Sequence, residues 1–227
     1  MNRIEPFANR DALADAAAEV IGQALRAPGA RAFVATGGAS PGSTYDRLAT
    51  RDLDWGRITV TLSDDRWVDA TSPESNEKLV RDRLLVGRAA EARFLALKGD
   101  GASPEQDAAT AEAGLRPLLP FTAILLGMGP DGHIASLFPG APDLAQILAP
   151  DGERLCVGVA KAGQPPFRPR ISLTVAALLQ SRLIVLLISG EAKRALVEKV
   201  GVDGGYTPPV AAVLRQERSA VRILWAP

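Results

Sequence analysis

The sequence predicts an α/β protein in which a mainly parallel sheet carries helices on both faces. Short β-branched runs alternate with segments of helical periodicity along the whole chain. This alternation is typical of βαβ units and hence of a parallel sheet. The 227 residues contain no internal repeat or low-complexity linker, so we expect one domain spanning residues 1–227.

The first elements follow from capping and periodicity. Asn9 suits the N-cap of a helix whose apolar face consists of Leu13, Ala17, Val20, Ile21 and Ala24. A strand at 31–36 ends at the pair Gly37-Gly38, and a helix at about 43–50 follows. The β-branched run 58–62 predicts a strand, after which we expect a polar loop and a helix at about 74–86.

The same alternation continues to the end of the chain. Ser103 and Pro104 predict a helix start after a short strand at 94–97. The apolar run 121–126 indicates a strand buried on both faces. The other predicted elements are strands at 155–160, 171–173, 183–189 and 221–225 and helices at 191–200 and 209–216. Ligands bind beyond the carboxyl ends of such strands, so one site should collect the loops after Thr36, Leu62, Leu126 and Ser189.

Composition excludes several classes of partner. Lys+Arg and Asp+Glu both total 26, so no basic excess attracts nucleic acid or an anionic membrane. The single cysteine, Cys156, lies in an apolar run and fits a buried strand position in a reducing compartment. The first residues lack the pattern of a signal peptide, and the longest apolar run, 183–188, is far short of the roughly 20 residues of a spanning helix. We expect a cytoplasmic monomer.

The turn Gly127-Met128-Gly129-Pro130-Asp131-Gly132 precedes the only histidine, His133. Its glycine spacing formally matches a dinucleotide fingerprint, but Pro130 removes a backbone N–H, and the turn comes late in the chain. A glycine-rich turn with Asp131 and His133 at its tip is better suited to acid–base chemistry, because imidazole titrates near neutrality. A core histidine satisfied by hydrogen bonds is the alternative.

A second glycine-rich segment, 36–45, follows an earlier predicted strand. Gly37 and Gly38 allow backbone N–H groups to approach an anion, and Ser40 adds a hydroxyl near a helix N-terminus. No Gly-Lys-Ser/Thr follows, so the segment is not a P-loop. We predict a phosphate site here, with an ordinary β–α turn as the alternative.

Cations and carboxylates at other predicted strand ends complete the set of candidates. Asp64 and Arg66 lie between a strand and a tryptophan, where the arginine can clamp substrate oxygens, although a solvated loop explains them equally well. Arg170 flanks a strand, and Lys193 lies in the first turn of a helix, where the helix dipole disfavours a cation. A bound phosphate would explain Lys193, as would an ordinary surface lysine.

Taken together, these segments resemble the 6-phosphogluconolactonase family, in the superfamily of glucosamine-6-phosphate deaminase. The matches run in order over nearly the whole chain, and the most specific is 127–140, GMGPDGHIASLFPG. The other matching segments are 36–41, 64–68, Ser75-Asn76, 170–174 and Gly190 to Lys193. Three positions depart from the family pattern, namely Ala39 for serine, Asp65 for glutamate and Ile134 for threonine. Asp65 is one methylene shorter, which disfavours a direct substrate role for it.

The resemblance implies a glucosamine-6-phosphate deaminase-like fold and hydrolysis of 6-phospho-D-glucono-1,5-lactone in the pentose phosphate pathway, without metal or cofactor. It implies a catalytic group, in which His133 is the general base, Asp131 orients it and Arg66 stabilises the oxyanion. Asp64 is a further candidate for substrate contact. The implied phosphate ligands are Gly37, Gly38, Ser40, Arg170 and Lys193.

Two other functions stay open. One is a sugar-phosphate isomerase or deaminase, although the segment 136–139 lacks the carboxylate that the deaminases carry after this motif. The other is a non-catalytic sugar-phosphate sensor, which the presence of both Asp131 and His133 disfavours. The sequence offers no serine-nucleophile elbow and no His/Cys ligand set for a hydrolytic metal.

Overall fold

The computed structural model describes residues 3–29, 31–162, 168–200 and 207–227. The strands in this part of the chain are β1 (Ile4–Pro6), β2 (Arg31–Ala35), β3 (Ile58–Leu62), β4 (Asp64–Arg66), β5 (Arg93–Phe94), β6 (Ala123–Gly127), β7 (Cys156–Ala162), β8 (Arg168–Leu173), β9 (Leu183–Ser189) and β10 (Ala220–Ala226). The α-helices are α1 (Arg10–Leu25), α2 (Pro41–Ala49), α3 (Asn76–Arg83), α4 (Pro104–Leu115), α5 (Leu144–Ile147), α6 (Val175–Leu178), α7 (Glu191–Val200) and α8 (Ala211–Leu214).

The main sheet has seven strands in the order β1-β10-β9-β6-β2-β3-β5, and every pairing in it is parallel. The chain proceeds from β2 outward to β3 and β5, then returns to β6 and proceeds outward on the other side to β9 and β10. Because parallel crossovers are right-handed, this reversal places the helices of the two halves on opposite faces. The predicted fold class is confirmed, and the reversal makes a topological switch point between β2 and β6.

The central strands form the core. β2 is buried along its whole length, and β6 is buried from Ala123 to Leu126, as expected for strands covered on both faces. On α1, the residues Leu13, Ala17 and Ile21 are buried, which confirms the predicted apolar face at these three positions. The predicted caps are also confirmed, since the side chains of Asn9 and Ser103 accept hydrogen bonds from Ala12 N and Gln106 N.

A second sheet departs from the sequence prediction. Strands β4, β8 and β7 form an antiparallel three-stranded sheet in that order. The sequence places residues 64–66 in a polar loop, but they form a strand because their backbone pairs with 170–172 of β8. The predicted strand 171–173 accordingly extends back to Arg168. Cys156 is buried on β7, as predicted, and burial raises the pKa of its thiol.

Other differences concern the ends of elements. β1 is not predicted by the sequence; α2 begins at Pro41, before the expected start; and α8 covers only four residues of the helix expected at 209–216. α3 begins at Asn76, because Ser75 is its N-cap and accepts from Lys78 N. The strand expected at 94–97 is reduced to Arg93–Phe94. Residues 163–167, part of a Gly- and Pro-rich stretch, lie outside the described residues.

Candidate active site

The candidate site is a cavity of about 190 Å³ at the carboxyl ends of β2 and β6. This volume is below the roughly 300–1,000 Å³ of pockets for drug-sized ligands, so the cavity suits a small metabolite. The expectation that four loops meet here is confirmed, because the lining includes residues that follow β2, β3, β6 and β9. The predicted site residues in its wall are Gly37, Gly38, Ser40, Asp64, Arg66, His133, Arg170 and Lys193.

A hydrogen-bonded pair stands at the β6 end of the cavity. Nδ1 of His133 lies 2.6 Å from Oδ1 of Asp131, and the same oxygen accepts from the backbone N–H of His133 at 3.1 Å. A carboxylate at Nδ1 favours the tautomer with hydrogen on Nδ1, which leaves the Nε2 lone pair to take up a proton. The alternative of a core histidine is disfavoured, because His133 lines the cavity and its side chain is 26% exposed.

The turn before His133 depends on a close approach at Gly129. A Cβ added to Gly129 would lie 2.1 Å from Cε1 and 2.2 Å from Nδ1 of His133. Glycine at this position therefore makes room for the imidazole. Gly132 closes the turn with a positive φ of 79°, and its N–H donates to the carbonyl of Gly129 at 3.1 Å.

Arg170 lies above a buried polar network at the floor of the cavity. Asp64 is 4% exposed and accepts hydrogen bonds from Ser63 Oγ at 2.9 Å and Ser136 Oγ at 2.5 Å. Arg170 makes only long contacts to this network, 3.4 Å to Ser136 Oγ and 3.8 Å to Asp64 Oδ2. Its buried Nε has no partner in the described structure. Ser136 and Asp64 thus orient the Arg170 guanidinium only through long contacts, and its hydrogen-bond donors are not all used within the described structure.

Electrostatics at Arg170 favour an incoming anion. Burial lowers the pKa of the Arg170 guanidinium, Asp64 opposes this shift and the nearby Arg66 adds to it. Asp64 itself is enclosed by hydroxyls beneath the arginine. This position favours a role in orienting Arg170, and its direct contact with substrate stays a prediction.

Arg66 is held by Asn76, for which the local sequence predicts no role. Its Nη1 donates to Asn76 Oδ1 at 2.7 Å and to the carbonyl of Glu74 at 3.0 Å. Asn76 in turn donates from Nδ2 to the carbonyl of Asp64 at 2.8 Å. The Asn76 side chain also packs on Gly37, where an added Cβ would lie 1.9 Å from Oδ1. Asn76 thereby joins three of the predicted segments.

Asp65 faces away from the cavity into the start of α3. Its carboxylate accepts from the backbone N–H groups of Arg66, Asn76 and Glu77 and from Ser75 Oγ. Burial raises the pKa of Asp65, and these four hydrogen bonds oppose the shift. The carboxylate ties α3, and with it Asn76, to β4, which fits the expectation that Asp65 does not contact substrate directly.

The loop after β2 forms another wall of the cavity. Tyr45 anchors its base, since its hydroxyl donates to the carbonyl of Thr36 at 2.5 Å and accepts from the Thr36 N–H at 2.8 Å. Gly38 has a φ of 104°, which suits glycine. Ser40 occupies the N-cap of α2 but makes no side-chain capping bond. Ser40 and Pro41 line the cavity, so the positive end of the dipole of the nine-residue α2 lies at its wall.

Lys193 completes the cationic lining. It lies in the first turn of α7, as predicted, and is partly buried. Burial lowers the pKa of its ammonium group, and repulsion from Arg10 at the start of α1 lowers it further. A partly buried cation that is repelled by a neighbour and lies beside a helix N-terminus is unfavourable in isolation, and an anion in the cavity would relieve it.

A larger cavity of about 720 Å³ lies between α5 and β7, and none of the predicted site residues lines it. Arg154 in its lining is paired with Glu105 and Glu112. Among the described residues, no group of three His, Cys, Asp or Glu side chains is placed to hold a metal ion. In the same part of the chain, no helix has the length and apolar character needed to cross a membrane.

Fold and site together define an α/β protein with a small cavity lined by cationic side chains beside a histidine–aspartate pair. Comparison with known proteins agrees with this class. The family model described as glucosamine-6-phosphate isomerases/6-phosphogluconolactonase matches residues 6–225. A 6-phosphogluconolactonase of Caulobacter vibrioides is 50% identical over 99% of this chain and 97% of its own length. The chain belongs to the glucosamine-6-phosphate isomerase/6-phosphogluconolactonase family.

Solved structures agree in fold. The crystal structure of a 6-phosphogluconolactonase from Shewanella baltica has a TM-score of 0.92 and 32% identity, covering 100% of this chain and 98% of that one. A monomeric glucosamine-6-phosphate deaminase has a TM-score of 0.79 at 22% identity, covering 100% of this chain and 97% of that one, and this similarity concerns the fold alone. The deaminase-like fold expected from the sequence is confirmed.

Proposed function

We propose that this enzyme hydrolyses 6-phospho-D-glucono-1,5-lactone to 6-phospho-D-gluconate in the oxidative pentose phosphate pathway. One observation carries the proposal: the His133 imidazole and the cations Arg170 and Lys193 line the same small cavity. A phosphorylated lactone needs both features, since one end must be held as an anion and the other attacked by water. Relatives named 6-phosphogluconolactonase, at up to 50% identity, support the same activity.

The phosphate is assigned to the cationic side of the cavity. Arg170 and Lys193 supply charge, and Gly37, Gly38 and Ser40 supply backbone N–H groups and a hydroxyl at the N-terminus of α2. Fixing the phosphate here turns attack on the lactone carbonyl into a reaction within one bound complex. The unfavourable positions of Arg170 and Lys193 support this assignment, because a phosphate dianion relieves both.

The lactone carbonyl is assigned to the His133 side. A water molecule attacks C1 while Nε2 of His133 takes its proton, and Asp131 stabilises the resulting imidazolium. The tetrahedral intermediate then collapses with cleavage of the bond between C1 and the ring oxygen, and the imidazolium returns the proton to that oxygen. The carboxylic acid formed at C1 ionises to the carboxylate.

Arg66 is assigned to the oxyanion that develops at C1. It lines the cavity, and its bond to Asn76 fixes its direction before substrate arrives. Such preorganised positive charge stabilises the transition state without reorganisation during the reaction.

The rival chemistries fit the site less well. Isomerisation or deamination needs a further acid–base group, and at the position after the histidine motif this chain has Ser136, which is bonded to Asp64. A sensor has no need for the short Asp131–His133 hydrogen bond.

We also propose that the enzyme acts in the cytoplasm and that it is a monomer. Size-exclusion chromatography with light scattering tests the oligomeric state directly.

The decisive experiment compares the phosphorylated and unphosphorylated gluconolactones in a proton-release assay, after subtraction of spontaneous hydrolysis. We expect a strong preference for the phosphorylated lactone and a kcat roughly 10²- to 10⁴-fold lower in His133→Ala, with little change in KM. Full activity in His133→Ala would refute the mechanism. Tight binding of 6-phosphogluconate without turnover would favour a sensor.

A further inference from the structure

One side chain contacts both ends of the site. The Phe138 ring lies 4.2 Å from the His133 ring between centroids, with 37° between their planes. The Arg170 guanidinium carbon lies over the same ring, 5.4 Å from its centroid. Phe138 therefore bridges the base proposed for the lactone end and the cation proposed for the phosphate end.

His133 needs such a neighbour. The hydrogen bond from Nδ1 to Asp131 fixes one edge of the imidazole but leaves the ring free to tilt about that bond. An aromatic ring packed against the imidazole restricts this tilt, because tilted aromatic pairs attract each other through their ring quadrupoles. Asp131 therefore fixes the Nδ1 edge of the His133 imidazole, and Phe138 fixes the plane of the same ring.

Arg170 needs the Phe138 ring for a different reason. The contacts of its guanidinium to Ser136 and Asp64 are long, and its Nε has no partner in the described structure. Hydrogen bonds therefore hold it loosely, and its placement depends on packing. The face of an aromatic ring attracts a guanidinium and directs it without consuming its N–H donors.

The chain path holds Phe138 in place. Two residues earlier, Ser136 is 1% exposed and is anchored by its hydroxyl to Asp64 and by its N–H to Ser172 Oγ at 3.1 Å. The turn that leads up to Phe138, residues 134–137, is closed by a hydrogen bond from Leu137 N to the carbonyl of Ile134 at 2.9 Å. The ring thus stands on a segment fixed to β4 and β8.

We propose that Phe138 is a positioning residue shared by the two ends of the site, setting the spacing and orientation of His133 relative to Arg170. This inference rests on the proposed function. Displacement of a reacting group by about 1 Å can cost about a hundredfold in rate, so loss of the ring should be visible in kinetics.

Double-mutant cycles test the proposal. Phe138→Ala should lower kcat and raise KM for the phosphorylated lactone, each about tenfold or more. In a His133→Ala background it should lower kcat no further, and in an Arg170→Ala background it should raise KM no further. Phe138→Tyr should retain both parameters, whereas Phe138→Leu should not. Equal effects in all backgrounds, or wild-type kinetics in Phe138→Ala, would overturn the proposal.

The control is Phe94→Ala. Phe94 is also partly buried beneath an arginine, with the guanidinium carbon of Arg81 at 4.6 Å from the ring centroid, but it lies on the edge strand β5. This change removes the same volume and the same type of contact away from the cavity. Kinetic losses of equal size in Phe94→Ala would show a general structural effect and would also overturn the proposal.

A second measurement does not depend on turnover. His133 is the only histidine, so its imidazole signals in an NMR spectrum need no further assignment. Phe138→Leu should shift the ring protons and speed exchange of the Nδ1 proton with water, whereas Phe94→Leu should do neither. If the wild-type protein fails to hydrolyse the lactone, the proposed function fails, and these signals still decide the role of Phe138. Unchanged imidazole signals in Phe138→Leu would refute it.

Discussion

Arg66 and Arg170 stand directly opposite each other on the antiparallel strands β4 and β8. Like charges at such positions repel, and burial together with Arg66 lowers the pKa of Arg170. The nearest carboxylate, Asp64, lies 3.8 Å from Arg170 and is already bonded to two serine hydroxyls. The cavity therefore has excess positive charge before any ligand arrives, which is the physical basis for expecting an anionic substrate.

The first prediction concerns Arg170→Ala. This variant loses the charge-assisted hydrogen bond proposed between Arg170 and the substrate phosphate, and such bonds are worth about 1.5–3 kcal/mol. KM for the phosphorylated lactone should therefore rise by about 10- to 100-fold, with a smaller effect on kcat. The unphosphorylated lactone should be affected little. Steady-state kinetics with both substrates check this.

Arg168→Ala is the matched control for Arg170→Ala. Arg168 lies two residues earlier on β8, is exposed and pairs with Glu74 outside the cavity. Its loss should leave KM within about twofold, the scale of an exposed ion pair. Equal rises in KM for the two variants would show that only overall charge matters.

The second prediction concerns Gly129→Ala. The new Cβ would overlap the His133 ring, so the imidazole must move away from Asp131. We expect kcat to fall by about 10²-fold or more, close to the effect of His133→Ala, with the far-ultraviolet circular dichroism spectrum unchanged.

Gly127→Ala is the matched control for Gly129→Ala. A Cβ at Gly127 would find no atom within 4 Å, although this residue lines the same cavity. Its kcat should stay within a few-fold of wild type. Near-normal kcat in Gly129→Ala would contradict the close packing of the His133 ring on this glycine.

The third prediction concerns Asn76→Ala. Arg66 would keep its bond to the Glu74 carbonyl but lose the one that fixes its direction. We expect kcat to fall about tenfold, less than the 10²- to 10³-fold typical of deleting an oxyanion donor outright. In an Arg66→Ala background the same change should have little further effect on kcat. Glu74→Ala keeps the carbonyl and serves as the control, and additive losses would argue against the positioning role.

The sequence predicts those elements of the fold that depend on neighbouring residues, and it misses those that depend on distant parts of the chain. The apolar runs fixed the bounds of β3 and β9, and helical periodicity fixed those of α7, because burial and period are local properties. The strand β4 was missed because its charged residues are extended only through pairing with β8, more than a hundred positions away.

The site shows the same division. Gly37, His133 and Lys193 follow strands of the parallel sheet, and the parallel topology brings them to one edge. Arg170 reaches the same cavity only because β8 pairs with β4 in the antiparallel second sheet. Asn76 and Phe138 were given no role, since nothing in the local sequence reveals that one would contact Arg66 and the other both His133 and Arg170. The sequence did contain a signal for each residue, because Ser75-Asn76 and the segment 127–140 match the family pattern. These matches do not reveal which groups the two side chains contact.

The last prediction concerns pH and Lys193. Burial and Arg10 lower the pKa of its ammonium group below the ordinary 10.5, so it loses its charge at a lower pH than an exposed lysine. The substrate phosphate stays fully ionised well above its second pKa of about 6. KM should therefore rise as pH increases through the lowered pKa, while kcat changes less. Lys193→Arg should flatten this rise, because arginine stays protonated, and Lys199→Met on the exposed side of α7 should not.

The stability of the fold should increase with pH in the range where substrate binding weakens. Because the native pKa lies below the unfolded one, the unfolded chain binds more protons between the two values, and in this window stability increases with pH. At pH values below both, the full cost of holding the charged lysine is present. Where the lysine is charged, at pH below its lowered pKa, Lys193→Met should therefore raise the melting temperature while it weakens substrate binding. A lower melting temperature, or a KM independent of pH in the wild type, would show that Lys193 is not an electrostatically strained cation. The combination of greater stability and weaker binding would identify it as a residue whose unfavourable charge is retained for the phosphate.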